Sequence, residues 1–213
     1  MLSPPTPFVP EEQHGQPVLF GLLVYTGDPA GAEKVLAPFR ALATPIIDML
    51  KPMRYPEIYE LMEEGGPTPA GMVVRSMFID TVDQEAAASI VDYLSSSTAD
   101  MAVAQLRVLG GAVDRVADDA TSFAHRGRKV MANVAAMYQD PAQSEIHEAW
   151  ADALADLLRR GSRGVYVNFL ADEGEARVRE AYPGPTWDRL RDVKRRYDPG
   201  NLFHLNQNIP PAN

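Results

Sequence analysis

The chain has 213 residues, 46% hydrophobic and 23% charged, so it is long enough to bury a core and has an ordinary globular composition. Its net charge of −9 excludes a general nucleic-acid binder, whose phosphate contacts need clustered Lys and Arg. With no cysteine it has no disulfides, thiolate metal sites or thiol nucleophiles, and no apolar run approaches the roughly 20 residues of a membrane-spanning helix.

Residues 1–17 hold five prolines and no periodicity, which predicts an extended arm or linker ahead of a domain at 18–213. The start lacks a basic stretch followed by an apolar one, so no secretory leader is expected. A cytoplasmic protein, with no membrane and no nucleic-acid partner, is the expectation. "PVLFGLLVYTGD" is a continuous apolar run closed by a turn and predicts a buried strand from Val18 to Tyr25. Helical spacing of Ala32, Val35, Leu36 and Phe39 follows, with Pro38 expected to kink or shorten that helix. "PEIYELMEE" predicts a short helix opened by Pro56.

"GMVVRSMFID" predicts a strand, and "VDQEAAASIVDYLSSS" a helix capped by Thr81 or Asp83. "DMAVAQLRV" alternates like a strand before Gly110-Gly111, and one or two strands are expected within 121–138. "SEIHEAWADALADLLRRG" is the clearest helix, with Ile146, Trp150, Leu154 and Leu157 on one face, His147 pointing to solvent and Gly161 as its stop. "GVYVNFLA" predicts another strand. "TWDRLRDVKRRYDPGN" predicts a helix with Trp187, Leu190, Val193 and Tyr197 on one face, ended by Asp198-Pro199-Gly200. Interspersed strands and helices of these lengths predict an α+β fold: an antiparallel β-sheet covered on one face by helices, with a C-terminal helix and an extended tail.

Four scattered histidines without HxH or HExxH spacing give no metal site, and neither GxSxG nor a phosphate-cradling glycine loop is present. Two polar patterns remain. Tyr166 and Asn168 are two apart in a predicted strand and share a face, either as a satisfied structural pair or as a donor/acceptor ledge for a heteroaromatic ring. Asn206 and Asn208 in "LNQNIPP" repeat the alternation in an extended segment, and an amide offers both a donor and an acceptor to such a ring. Residues 186–213 carry a net +2, leaving −11 for the rest, which suits a solvated helix face or an acidic partner. Arg75 with Met77, and Gln105 with Arg107, share strand faces; each pair either lines a substrate cavity or is ordinary sheet surface. His125 is read as structural.

"VYVNF…AYPGPTWDRLRDVKRRYDPGNLFHLNQNIPP" resembles the C-terminal motif of FAD-linked oxidoreductases of the berberine bridge enzyme type. The likeness is most specific from Tyr166 to Pro211, within a motif segment we place at 165–211. "YTGDPAGAEKVLAPFRAL", "RVLGGAVDRV" and "DATSFAHRG" extend it, less specifically, from about Gln16 onward. It implies a substrate domain whose sheet lies over a flavin held by an N-terminal FAD domain. That partner would be a separate chain or a missing N-terminal half, and the exposed face of an isolated chain would favour self-association as a homo-oligomer. The implied reaction moves a hydride from an alcohol, amine or activated C–H of a small-molecule substrate to flavin N5, with reoxidation by O2. Tyr166 matches the first position of the family's YxN motif, and the proton would go to it, to another residue or to water. Asn168, Asn206 and Asn208 are the implied flavin contacts. Several relatives carry a second tyrosine where this chain has Phe169, which cannot take a proton. The alternative is a stand-alone binding or interaction module without redox chemistry.

Overall fold

Alternation in three runs builds one antiparallel sheet in the computed structural model, which describes residue 1, residues 9–59 and residues 69–213. Strands β1 (Gly71–Ile79), β2 (Met101–Val108) and β3 (Val130–Tyr138) are arranged β1-β3-β2, so the last strand in sequence is the central one. It is also the one the sequence signals least clearly, because three of its nine residues are alanines. The alanines have a packing reason. On one face Ala132, Val134 and Ala136 lie flat under a long helix, α3 (Ser144–Arg159), whose Ala151, Leu154, Ala155 and Leu158 are buried against them. Small residues on both sides let helix and sheet approach closely.

Helix α2 (Gln84–Ser96) completes that layer. Its cap is Asp83, which accepts from the Ala86 N–H at 2.9 Å and is gripped by Arg160 just past the end of α3. That arginine holds the Asp83 carboxyl down to about 2. Trp150 donates its indole N–H to the Tyr93 carbonyl at 2.8 Å, tying α3 to α2. The buried face of α3 is rotated from the predicted one: Ile146 is 61% exposed, whereas His147 is 1% exposed and stacks on Tyr138 at 4.6 Å. The pattern of large apolar residues misplaces the stripe because the close approach favours alanines, and an imidazole beside an aromatic ring fills the wider end.

A second cluster forms from the C-terminal segments. Helices α4 (Glu175–Ala181) and α5 (Pro185–Tyr197) contribute Val178, Ala181 and Trp187, which bury with Val165 and Leu170. Helix α4 carries too short an apolar stripe to be read from sequence. Arg177 fixes it to the sheet, donating to the Ser76 carbonyl at 3.2 Å while Glu173 and Glu180 neutralise the charge. On α5 only Thr186 and Trp187 are buried; Val193 and Tyr197 of the expected apolar face are 52% and 73% exposed.

Two expected strands are absent. Residues 164–171 bend through a 3-10 turn at Val167–Phe169. Val18–Tyr25 is not a strand: Val18 exchanges backbone hydrogen bonds with Met1 at 2.9 and 3.1 Å, and Leu19 and Phe20 are well exposed. The chain divides into units Met1–Pro69 and Ala70–Asn213, and among its described residues the first unit contains no strand to complete the ladder. That unit contains α1 (Ala32–Arg40), which accommodates Pro38 in its last turn, and a 3-10 turn at Tyr55–Tyr59. The remainder of the helix expected at 56–64 lies outside the described residues, as does most of the predicted arm.

Leu154 is fully buried between α3 and β3, so Leu154→Ala should cost about 2–5 kcal/mol of unfolding free energy in a urea titration of the chain. Ile146→Ala, on the exposed side of the same helix, should stay within roughly 0.5 kcal/mol of wild type.

Candidate functional site

Paired residues in adjacent antiparallel strands point to the same face, so the register sorts the candidates directly. Val73, Arg75, Met77 and Ile79 face the helices. Arg75 reaches Asp152 of α3 at 2.6 Å, and Met77 is fully buried. Both are parts of the helix–sheet interface rather than cavity walls. The opposite face carries Ser76, Asn133 and Gln105 in one row across the three strands, and Phe78, Met131 and Arg107 in the next. Gln105 and Arg107 therefore share this second face, as predicted for them. No helix of the α2–α3 layer covers it.

Over one end of this face runs the segment that bears Tyr166. Its route depends on Gly164. A Cβ there would sit 2.9 Å from His125 Cε1, and φ is +124°, so only glycine lets the backbone pass the imidazole. His125 is buried and stacks on Phe78 at 4.4 Å. Burial pushes its pKa down, partly offset by the backbone carbonyls of Ala181 and Glu180. Phe123 closes the group, 6.0 Å edge-on from the Tyr166 ring and 6.1 Å from Phe78. Tyr166 thus stands against an aromatic wall, with Phe169 at 5.6 Å on another side.

The predicted Tyr166–Asn168 adjacency survives the loss of the strand. The 3-10 turn brings the Asn168 amide nitrogen to 2.9 Å from the Tyr166 phenol oxygen, to which it donates. Val165 is fully buried and Val167 partly buried in the second cluster.

The terminal segment is anchored from two sides. Asp198, at the end of α5, accepts from the backbone N–H groups of Leu202 and Phe203 at 2.7 and 3.0 Å. Lys194 bridges its carboxylate to the Phe203 carbonyl, each at 2.5 Å. The Asp198 carboxyl is held below the usual range chiefly by the Lys194 side chain. Further on, Gln207 donates to the Leu170 carbonyl at 2.5 Å, and Ile209 packs on the second cluster. The tail is therefore stapled to the residue that caps the Tyr166 turn. Strict alternation does not hold along it. Asn206 takes a left-handed φ of 57° and its carbonyl accepts from the Asn208 N–H at 3.0 Å, so a tight turn replaces the extended ledge. An asparagine tolerates that conformation where most side chains do not.

Asn206, Gln207 and Asn208 line a cleft of about 670 Å3 together with Asp172, Gly174 and Glu175; Tyr166 and Asn168 lie outside this lining. The Asn208 side-chain oxygen is buried without a hydrogen-bond partner. Sequence reading misses Ser76, Phe123 and Asn133 as parts of the site. Asn133 has a signal in retrospect: it is the lone amide within the apolar run "VMANVAAMY". Among the described residues no cluster of His, Cys, Asp and Glu could hold a metal ion, and no helix is long and apolar enough to cross a membrane.

An α+β domain of this kind, with an aromatic-lined tyrosine beside an amide-bearing tail, has relatives. Residues 165–210 match the family model described as Berberine and berberine like. An uncharacterized FAD-linked oxidoreductase of Bacillus subtilis (strain 168), YgaK, is 29% identical over 189 residues, covering 88% of this chain and 42% of the relative. Berberine bridge enzyme-like 6 of Arabidopsis thaliana is 32% identical over 125 residues, 51% of this chain and 23% of the relative. Among solved structures, wild-type BBE-like 1 of Physcomitrella patens superposes with a TM-score of 0.70 at 16% identity, over 89% of this chain and 44% of that one. The chain is thus similar over most of its length to part of longer FAD-linked oxidoreductases, and the berberine-like match falls on its last quarter. It spans less than half the length of each of them.

The Asp198 clamp makes a pH-dependent prediction. An aspartate whose folded pKa is depressed favours the folded turn above the ordinary carboxylate range and loses that contribution as pH falls through the depressed value. Hydrogen exchange at the Leu202 and Phe203 amides should accelerate roughly tenfold or more in Asp198→Ala, while amides of β3 stay protected.

Proposed function

We propose that this chain is the substrate domain of an FAD-dependent oxidoreductase and works only when an FAD-binding half completes the site. The observation that carries the reading is the convergence of the Tyr166–Asn168 turn and the amide-bearing tail on one apolar cluster, joined by Gln207 and Leu170.

The residues present fit a flavin ring better than its phosphates. A flavin's pyrimidine edge carries two carbonyl acceptors and an N–H, and asparagine side chains offer complementary partners for both. The buried, unpartnered Asn208 oxygen is an acceptor suited to such an N–H. The cleft beside it is of ligand size, and its lining contains Asp172 and Glu175 but no Lys or Arg. That lining disfavours a pyrophosphate, which the partner half would hold. Asn206 and Asn208 are thus the proposed ring contacts from this chain, with Tyr166 and Asn168 near the reacting end. When bound, the flavin supplies the two-electron acceptor.

The chain's own residues do the rest. Tyr166 Oη, entering the step as the phenolate and leaving it as the phenol, is the proton-accepting atom, because the neighbouring Phe169 has no oxygen to offer. The Asn168 amide donates to that oxygen, which orients the phenol and stabilises negative charge on it. Phe123, Phe169 and the buried His125–Phe78 stack exclude water from two sides of the ring. Gln105 lies on the open sheet face beside this group and is the proposed contact to a small-molecule substrate bearing an oxidisable alcohol, amine or activated C–H. A chain without cysteine suits the reducing cytoplasm. The rigid turn after α5 presents Leu202, Phe203 and Leu205, each more than 70% exposed, as apolar surface that the FAD-binding half would cover. Without it, this surface favours self-association.

Mixing the purified chain with FAD should leave it colourless, and supplying an FAD-binding half should give a yellow complex that survives gel filtration. In that complex Tyr166→Phe should keep the flavin and slow its reduction by substrate roughly 10²–10⁴-fold. Loss of flavin from both preparations refutes the reading.

A further inference from the structure

Arg107 is set apart from the other arginines of the site by what surrounds it. It projects from edge strand β2 onto the open sheet face, level with Met131 of β3. Its guanidinium carbon lies 4.6 Å over the Phe169 ring centroid. With the Asn133 amide turned so that its oxygen faces the donor, an Arg107 Nη donates to it at 3.1 Å. In that orientation the Asn133 nitrogen donates to Ser76 Oγ at 3.1 Å and to the Ala132 carbonyl at 3.2 Å. Ser76 and Asn133 are almost wholly buried. The arginine's partners are thus an amide oxygen and an aromatic face, not a carboxylate.

The turn that carries Tyr166 has few fixings of its own. No side chain caps it, and its backbone closes on itself through the Phe169 and Leu170 N–H groups at 2.9 and 3.1 Å. Phe169 is the side chain in that turn that meets the sheet-anchored cation, and its ring lies 5.6 Å from that of Tyr166. A guanidinium can lie flat on a ring while its edge donates in a fixed direction, whereas an ammonium has neither a flat face nor a rigid fork.

We propose that Arg107 is the positioning residue of Tyr166: rooted in the central strand through Asn133, it holds Phe169 by its face, and Phe169 sets the attitude of the phenol. Its bearing on catalysis rests on the role given to Tyr166 above, but the positioning itself is a property of this chain alone. It also accounts for a phenylalanine at 169. An unhydroxylated ring at that position serves as the plate on which the guanidinium rests, without a second phenol to compete for the Asn168 amide.

The test uses the full chain without flavin, so its outcome is independent of whether FAD binds. Incorporation of 3-fluorotyrosine gives 19F lines for the eight tyrosines, and Tyr166→Phe assigns the line of interest. In Arg107→Ala and in Arg107→Lys that line should move more than half of the way to its position in the urea-unfolded chain. The lines of Tyr93 and Tyr138, which belong to the helix–sheet core, should stay in place. Guanidinium ion at tens of millimolar should bring the Tyr166 line back in Arg107→Ala, and urea at the same concentration should not. The proposal is overturned if the Tyr166 line stays put in both variants, if it moves together with those of Tyr93 and Tyr138, if lysine serves as well as arginine, or if guanidinium restores no more than urea does.

Discussion

A single amide buried in the central strand organises the working face of this domain. Asn133 is 4% exposed in a strand otherwise made of Val, Ala, Met and a final Tyr. A buried amide left without partners costs about 1–3 kcal/mol, so the residues around it are constrained to supply them. With the Asn133 amide turned, Ser76 from one neighbouring strand and Arg107, one row along on the other, do so, and the three strands thereby share a polar connection. Everything stacked above that connection inherits its placement: Phe169 on the arginine, Tyr166 on Phe169, and Asn168 on the phenol.

The two faces of the sheet divide labour by residue size. Toward the helices the central strand is small, and close packing of α3 builds the larger of the two apolar clusters. Toward the site it alternates Met131, Asn133, Ala135 and Met137, a mixture of adaptable thioethers and one amide. A rigid covalent frame is absent, as the chain has no disulfide. Precision at Tyr166 therefore comes from noncovalent contacts in series, and such a series is only as stiff as its weakest link. The buried end of it lies at Asn133 and Ser76, and the other end is the uncapped turn at Val167–Phe169.

What the sequence revealed follows from which signals are local. Strands β1 and β2, a cap of α2 at Thr81 or Asp83 and the stop of α5 at Asp198 are all legible, because alternation, capping chemistry and a Pro-Gly stop act within a few residues. The open-face placement of Gln105 and Arg107 could be paired from sequence, but Arg75 and Met77 could not be assigned to the helix side without knowing which face α3 covers. The buried stripe of α3 was misread because its deepest positions are alanines and a histidine. The 164–171 segment read as a strand because Tyr and Val alternate there. Only a non-local fact, the passage of Gly164 over the His125 ring, turns it away from the sheet. In the tail the amides were visible, whereas the left-handed Asn206 that breaks their alternation was not.

The clamp at Asp198 bears on why the tail motif couples a charged helix end to a run of amides. Lys194 and Asp198 touch neither the cleft nor Tyr166; they close a turn whose backbone would otherwise be free at the end of a helix. The same turn that fixes Asn206 and Asn208 from upstream also holds Leu202 and Phe203 outward. A side chain held rigidly in water gains nothing from its rigidity there, since ordering it loses entropy and burying it nowhere returns none. Fixed apolar side chains on the outside and fixed amides on the inside of one clamped turn have a common rationale. Were a partner surface to cover Leu202, Phe203 and Leu205, the same clamp would position it relative to the amides of the cleft.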